Sequence, residues 1–403
     1  MSLANNLAQE LVDAILDFLH DDRSSLCTSA LVARRWLPAS RYHIFQRITL
    51  NNVFSTHRVF RDSAQGFLDL CDSPHCSIVS SIQDVILDLD HKRAPTGLRD
   101  IVRILSQAPI SRLEYVDRTF SEPTALSWIS PNLSRLQQLS YYSIDQFSKD
   151  IFPLVAHFPE LRTLSISCNA TDSAREYIPI NYQPLELPAF AFTHLRNLRL
   201  CLMKVQTDEF MRWLGTFGHR IQLEELDVDG FHFYHNGWGP IESLNAFLAS
   251  NGSSLTHFGL YLRYEYGDSV DDTVLLSRPS EGDVDLSPLI NLRTLKLGTH
   301  NIDAVCASLN SLPIVTSPLV EFELSYRYWI HYHHAPCTCQ QRFLVNDLAE
   351  SMARDQFAKL RNFTIVLPAV FGDGPWDWLR EFFPRWNETD VLQIVGLSWE
   401  EDY

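Results

Sequence analysis

The sequence predicts an α/β chain in two modules: a small bundle of three helices, then a solenoid whose curved parallel sheet is backed by outer helices. Three observations carry this prediction. Apolar residues recur at steps of three and four through the first fifty positions. A hexamer of the form apolar-x-x-apolar-x-apolar then recurs, in order, eleven times. Residues 1–50 hold five acids and five bases, so the whole net charge of −16 belongs to residues 51–403.

Composition bounds the rest. With 403 residues, 45% hydrophobic and 20% charged, the chain is made of folded material and is not a disordered polyelectrolyte. No apolar run approaches the roughly 18 residues that a membrane helix requires. The start, MSLANNLAQELVDAILDFLHDD, carries acids where a signal peptide carries bases, so a cytoplasmic or nuclear location is expected. Eight cysteines without regular spacing then read as reduced thiols. The acidic balance argues against a nucleic-acid partner. No glycine-rich phosphate cradle and no GxSxG elbow is present. The 15 histidines and many acids fall in no catalytic spacing. A binding protein with no cofactor is expected, and not an enzyme.

In the first module, Leu7, Leu11, Ala14, Ile15, Phe18 and Leu19 form one apolar face of a helix, with Asn5 or Asn6 as its cap and Asp21-Asp22 at its end. A second helix runs from Ser24 through Leu26, Ala30, Ala33 and Leu37. Pro38 suits the first turn of a third, carrying Tyr42 and Phe45. So few residues cannot bury a self-sufficient core, so the unit needs a partner or a neighbouring domain. All five acids lie in residues 1–22 and all five bases in residues 23–50.

Leu7-Ala8-Gln9-Glu10-Leu11, then Ile15 and Leu19, then Leu31-Val32-Ala33-Arg34-Arg35-Trp36, resembles an F-box across residues 1–50. The continuation to Leu50 is similar to F-box proteins abundant in mushroom-forming fungi. Ala8 stands where the family usually has proline. The resemblance implies docking to a Skp-type adaptor and, through it, a cullin–RING ubiquitin ligase. Carried over by position, it places Leu7, Ala8, Leu11, Ile15, Leu31, Val32 and Trp36 on the adaptor-binding face. The same residues also read as the core of a helical cap on the second module. The adaptor family is acidic by resemblance, which complements the basic stretch at 23–50.

The hexamers begin at Phe45, Ile82, Ile110, Leu136, Leu161, Leu195, Leu223, Leu255, Leu292, Leu319 and Leu360, 25 to 41 residues apart. Helical signals lie between them at 98–106, 208–216, 242–249 and 302–309. The copy Leu161-Arg162-Thr163-Leu164-Ser165-Ile166-Ser167-Cys168-Asn169 matches L-x-x-L-x-L-x-x-N, so residues 51–370 resemble degenerate leucine-rich repeats. Alternation along each strand points the paired apolar residues inward and places polar ones on the open face. That face includes Asp84, Asp88, Arg112, Glu114, Tyr142, Arg199, Glu225, Asp227, Asp229, Tyr261, Lys296, Glu321 and Glu323. Eight acids against three bases suggest a basic protein target, or plain solvation of an acidic chain. Tyr142, Arg199, Glu225, Asp227, Asp229, Tyr261, Lys296, Glu321 and Glu323 are the candidate substrate contacts. Thr163 and Thr294 are expected on the exposed side.

Two inserts interrupt the array: the acidic stretch 265–285, and His331-Tyr332-His333-His334-Ala335-Pro336-Cys337-Thr338-Cys339. The second offers metal-ligand types at a spacing too tight for a tetrahedral ion, so an exposed tip is expected. Residues 371–403, with four of the nine tryptophans, are expected to cap the open end of the solenoid. The function that follows is a ubiquitin-ligase substrate receptor, with a repeat-based interaction module outside any ligase as the alternative.

Overall fold

Each of the eleven hexamers ends in a strand. The computed structural model describes residues 7–51, 63–74, 76–89, 95–117, 133–143, 151–168, 191–202, 204–217, 221–233, 241–264, 284–299, 302–313, 318–326, 338–368 and 377–397. The chain divides into two compact units, Met1–His194 and Leu195–Tyr403.

The first unit opens with helices α1 (Gln9–Phe18), α2 (Arg23–Val32) and α3 (Leu37–Gln46). Asp22 caps α2, accepting from the Ser25 amide at 3.0 Å, and Pro38 sits in the first turn of α3. Ala8, at φ −62° and ψ 147°, takes the cap position of α1. Asn5 and Asn6 lie outside the described residues.

Strands β1 (Arg47–Asn51), β2 (Asp84–Leu89), β3 (Arg112–Asp117), β4 (Gln138–Ser143) and β5 (Thr163–Cys168) follow, each parallel to the next. Helices α4 (Ser63–Cys71), α5 (Pro95–Leu105) and α6 (Ile151–Val155) lie between them in sequence. The register stacks Ile48, Val85, Leu113, Leu139 and Leu164 in one row, and Leu50, Leu87, Tyr115, Tyr141 and Ile166 in the next. The Tyr115 and Tyr141 rings stack at 5.9 Å. Each fully buried side chain of this kind contributes about 1.5–3 kcal/mol.

The first fifty residues lead straight into the sheet: the hexamer that begins at Phe45 ends in β1, which pairs with β2. The helices also touch the segment before β2: Gln83 donates to the Tyr42 hydroxyl at 2.9 Å, and Arg41 to Ser77 at 3.2 Å.

Among the described residues, the second unit has seven parallel strands in sequence order: β6 (Asn197–Cys201), β7 (Glu225–Phe233), β8 (His257–Tyr264), β9 (Thr294–Thr299), β10 (Glu321–Tyr326), β11 (Asn362–Pro368) and β12 (Leu392–Leu397). Its inward row runs Leu198, Leu226, Phe258, Leu295, Phe322, Phe363 and Leu392. Helices α7 (Lys204–Gly215), α8 (Ile241–Asn251), α9 (Ile302–Ser311) and α10 (Thr338–Met352) fall between strands in sequence. Short helices α11 (Asp377–Phe382) and α12 (Pro384–Asn387) precede β12.

One backbone device repeats along both units. A single carbonyl before each strand accepts from two successive amides of the next repeat: Gln83 from Ser111 and Arg112, Gln137 from Arg162 and Thr163, Glu224 from Thr256 and His257, Arg293 from Val320 and Glu321. These bonds satisfy backbone groups where the chain turns into the sheet, and they hold successive strands in register.

In the C-terminal segment, Phe383 and Trp386 pack on Phe363 with ring centroids 5.2 and 5.8 Å away. The same segment then adds β12 to the sheet. Trp376 and Trp399 lie outside the described residues. So do residues 265–283, nearly all of the acidic insert, and 331–337 of the His/Cys stretch; Thr338 and Cys339 begin α10.

Candidate functional site

The first candidate surface lies on the N-terminal helices. Val12 and Leu16 of α1, Leu26 of α2 and Trp36 form a small buried cluster, with Leu7, Leu19, Ala33, Ala39 and Ile44 packed against it. Val12 and Leu16 were absent from the apolar face read from the sequence. That face divides in the structure: Leu7 and Leu19 turn toward the cluster, while Leu11, Ile15 and Phe18 are 55%, 41% and 88% exposed. Leu31 and Val32, at the end of α2, are exposed as well. Burying two or three apolar side chains of one helix while leaving three others in water gives up several kcal/mol of transfer energy. Such a patch marks a contact surface.

Of the seven residues the F-box-like pattern marks, Leu11, Ile15, Leu31 and Val32 are therefore open to a partner. Ala8 is exposed at the helix cap, and Leu7 is half-buried. Trp36 differs from these. It is 8% exposed and, as the cap residue of α3, packs in the cluster with Val12, Leu16 and Leu26. Its contribution is to hold the helices together. Phe18, 88% exposed, belongs to the open stripe. Its i, i+3 and i+7 spacing from Ile15 and Leu11 was visible in the sequence. The flanking bases Arg23 and Arg34 are exposed.

The second surface is the polar face of the sheet. Tyr142 belongs to the first unit, in the row Asn51, Asp88, Val116, Tyr142 and Ser167. The other eight candidate contacts belong to the second unit, where strand register sorts them into three rows. Glu225, His257, Thr294 and Glu321 share one row. Arg199, Asp227, Gly259, Lys296 and Glu323 share the next. Asp229, Tyr261, Gly298 and Ser325 share the third. Neighbouring strands lie about 4.8 Å apart, so members of a row reach one another.

They do so unevenly. Lys296 Nζ stands 3.7 Å from one oxygen of Glu323, and the Tyr261 hydroxyl donates to the other at 3.4 Å. Thr294 Oγ1 donates to Glu321 at 3.3 Å. Thr294 is thereby buried, not exposed as its strand position suggested: Glu321 covers it from the neighbouring strand. On β7, Glu225 stands 4.0 Å from His257. The acidic face is thus partly answered by the chain itself on β10.

Burial, and then Cys76 beside it, pushes the Cys71 thiol up to about 12, so it stays protonated at neutral pH. Among the described residues no group of three His, Cys, Asp or Glu side chains is placed to hold a metal ion, and no helix is long and apolar enough to cross a membrane. In comparisons with known proteins, no family model and no curated protein matches the chain.

Proposed function

We propose that this chain is a substrate receptor of a cullin–RING ubiquitin ligase, with its N-terminal helices docking a Skp-type adaptor and the polar sheet face of its second unit holding a protein substrate. The observation that carries the reading is the open apolar stripe. Leu11, Ile15, Leu31 and Val32 are the positions at which an F-box-like pattern expects partner contact, and all four are exposed in a module that buries Val12, Leu16, Leu26 and Trp36. The exposed bases of residues 23–50 suit an acidic adaptor and would speed its encounter. Catalysis would then occur on other subunits. The receptor's part is to raise the local concentration of substrate lysines.

A second reading has an observation of its own. The helices run directly into β1 and share hydrogen bonds with Ser77 and Gln83, just before β2, as an N-terminal cap of a solenoid does. In that case the chain is an interaction protein outside any ligase.

Affinity purification of the full chain separates the two. Wild type should bring down adaptor and cullin, together with other proteins held on the sheet face. Glu225→Lys/Asp227→Lys/Asp229→Lys should keep adaptor and cullin and lose those other proteins. Recovery of unrelated partners without adaptor supports the second reading. An unaltered partner profile in the triple variant moves substrate recognition off β7.

A further inference from the structure

Helix α1 carries three stripes. Val12, Leu16 and Leu19 face the buried cluster. Leu11, Ile15 and Phe18 form the open apolar flank. Gln9, Asp13 and Asp17, four residues apart, form the opposite flank. With 3.6 residues per turn, the two flanks sit roughly 90–100° to either side of the buried seam. The rotation of α1 about its own axis therefore decides how far the apolar flank is turned outward.

Buried contacts alone define that rotation loosely, because the cluster is small. The polar flank is where the helix is pinned. Asp17 Oδ1 stands 3.0 Å from Nε2 of His43 on α3. The His43 side chain is only 10% exposed, whereas Asp17 is 70% exposed. His43 is thus a fixed post, and Asp17 reaches to it. His43 Nδ1 is buried with no hydrogen-bond partner among the described residues, so Asp17 is the polar group that meets this ring. At the other end of the flank, Arg35 donates to Gln9 at 3.5 Å, and Gln9 donates to Asp13 at 2.8 Å.

We propose that the close Asp17–His43 contact is a latch that sets the rotation of α1, so that Asp17 and His43 are positioning residues for the Leu11/Ile15/Phe18 stripe on the opposite flank. This inference rests on the docking reading above. It differs from a simple charge effect in sign: an acidic adaptor would be bound better, not worse, by a chain that has lost an acid.

The test uses the full chain and a purified Skp-type adaptor. Asp17→Ala should weaken binding on the order of three- to tenfold, the range open to one half-exposed polar contact, mainly through faster dissociation. Asp17→Asn keeps the acceptor oxygen and should restore wild-type affinity. Leu11→Asp/Ile15→Asp should abolish binding. Amide hydrogen exchange across residues 9–18 of the free chain is the second readout, and it should be faster in Asp17→Ala than in Asp17→Asn. Binding by Asp17→Ala equal to or tighter than wild type would overturn the latch and leave docking intact. Equal weakening in both Asp17 variants would show that the oxygen facing His43 is not what holds α1, and would also overturn it. Failure of wild type to bind removes the docking reading and the latch with it.

Discussion

The ring of Tyr261 on β8 lies across Gly298 on β9, so close that a Cβ at position 298 would overlap the ring edge. This approach lets the Tyr261 hydroxyl reach past β9 to Glu323 on β10. Glycine at 298 is therefore required by the side chain above it. Gly298→Ala should cost about 1–3 kcal/mol, since a rigid ring must move. Gly259→Ala should cost less, because there the obstacle is the end of the Asp227 carboxylate, which can swing away. Denaturant unfolding of both variants checks the order.

Strand alternation gives a sharper contrast. Leu164 and Leu295 are wholly buried, and truncating either to Ala should cost about 2–5 kcal/mol in transfer energy and cavity. Thr163→Ala, at a half-exposed position, should stay within about 0.5 kcal/mol. Thr294→Ala should fall between, at about 0.5–1.5 kcal/mol, because it removes a covered hydrogen bond to Glu321. Equal losses at all four sites in chemical denaturation would contradict the one-sided strands.

Ala8 already holds the backbone that proline demands, at φ −62° and ψ 147°. Ala8→Pro should stabilise the chain by about 0.4–1 kcal/mol by restricting the unfolded state. Thermal unfolding measures this, and a lower midpoint would show that the residue-8 amide is needed.

Asp22 should show itself in acid. The Ser25 hydroxyl, and then the Ser25 amide, bind its carboxylate and hold it below the ordinary value of 3.8. A depressed folded-state pKa contributes stability above the unfolded value, lost as pH falls through the folded one. Asp22→Ala should therefore destabilise α2 near neutrality, and the difference from wild type should shrink as pH falls through the depressed folded-state value. Helicity followed by circular dichroism across that range is the check.

How much of this was legible in the sequence varies with the kind of signal. Val85, Leu113, Leu139 and Leu164 announce their strands because an inward row must be apolar in every repeat, and the hexamer states that requirement directly. Strand β12 escaped because Thr389 occupies the place of the first apolar residue before Leu392 and Ile394. On α1 the apolar residues surround more than half of the helix, so periodicity alone could not divide Val12 and Leu16, which are buried, from Leu11 and Ile15, which are not. The burial of Trp36 depends on the size of the space between α1 and α2, which spacing does not encode. The pairing of Lys296 and Tyr261 with Glu323 needs strand register across three repeats, and register becomes visible only in the assembled sheet.

The most direct measurement is the affinity of the purified full chain for a purified Skp-type adaptor, compared with Leu11→Asp/Ile15→Asp. Two charges set into an apolar contact without partners cost enough to abolish it. The account predicts saturable binding by wild type, loss of at least about 100-fold (roughly 2.7 kcal/mol) in the variant, and an unchanged unfolding midpoint, since both residues are exposed. Equal binding by the two proteins, or no binding by wild type, would contradict it.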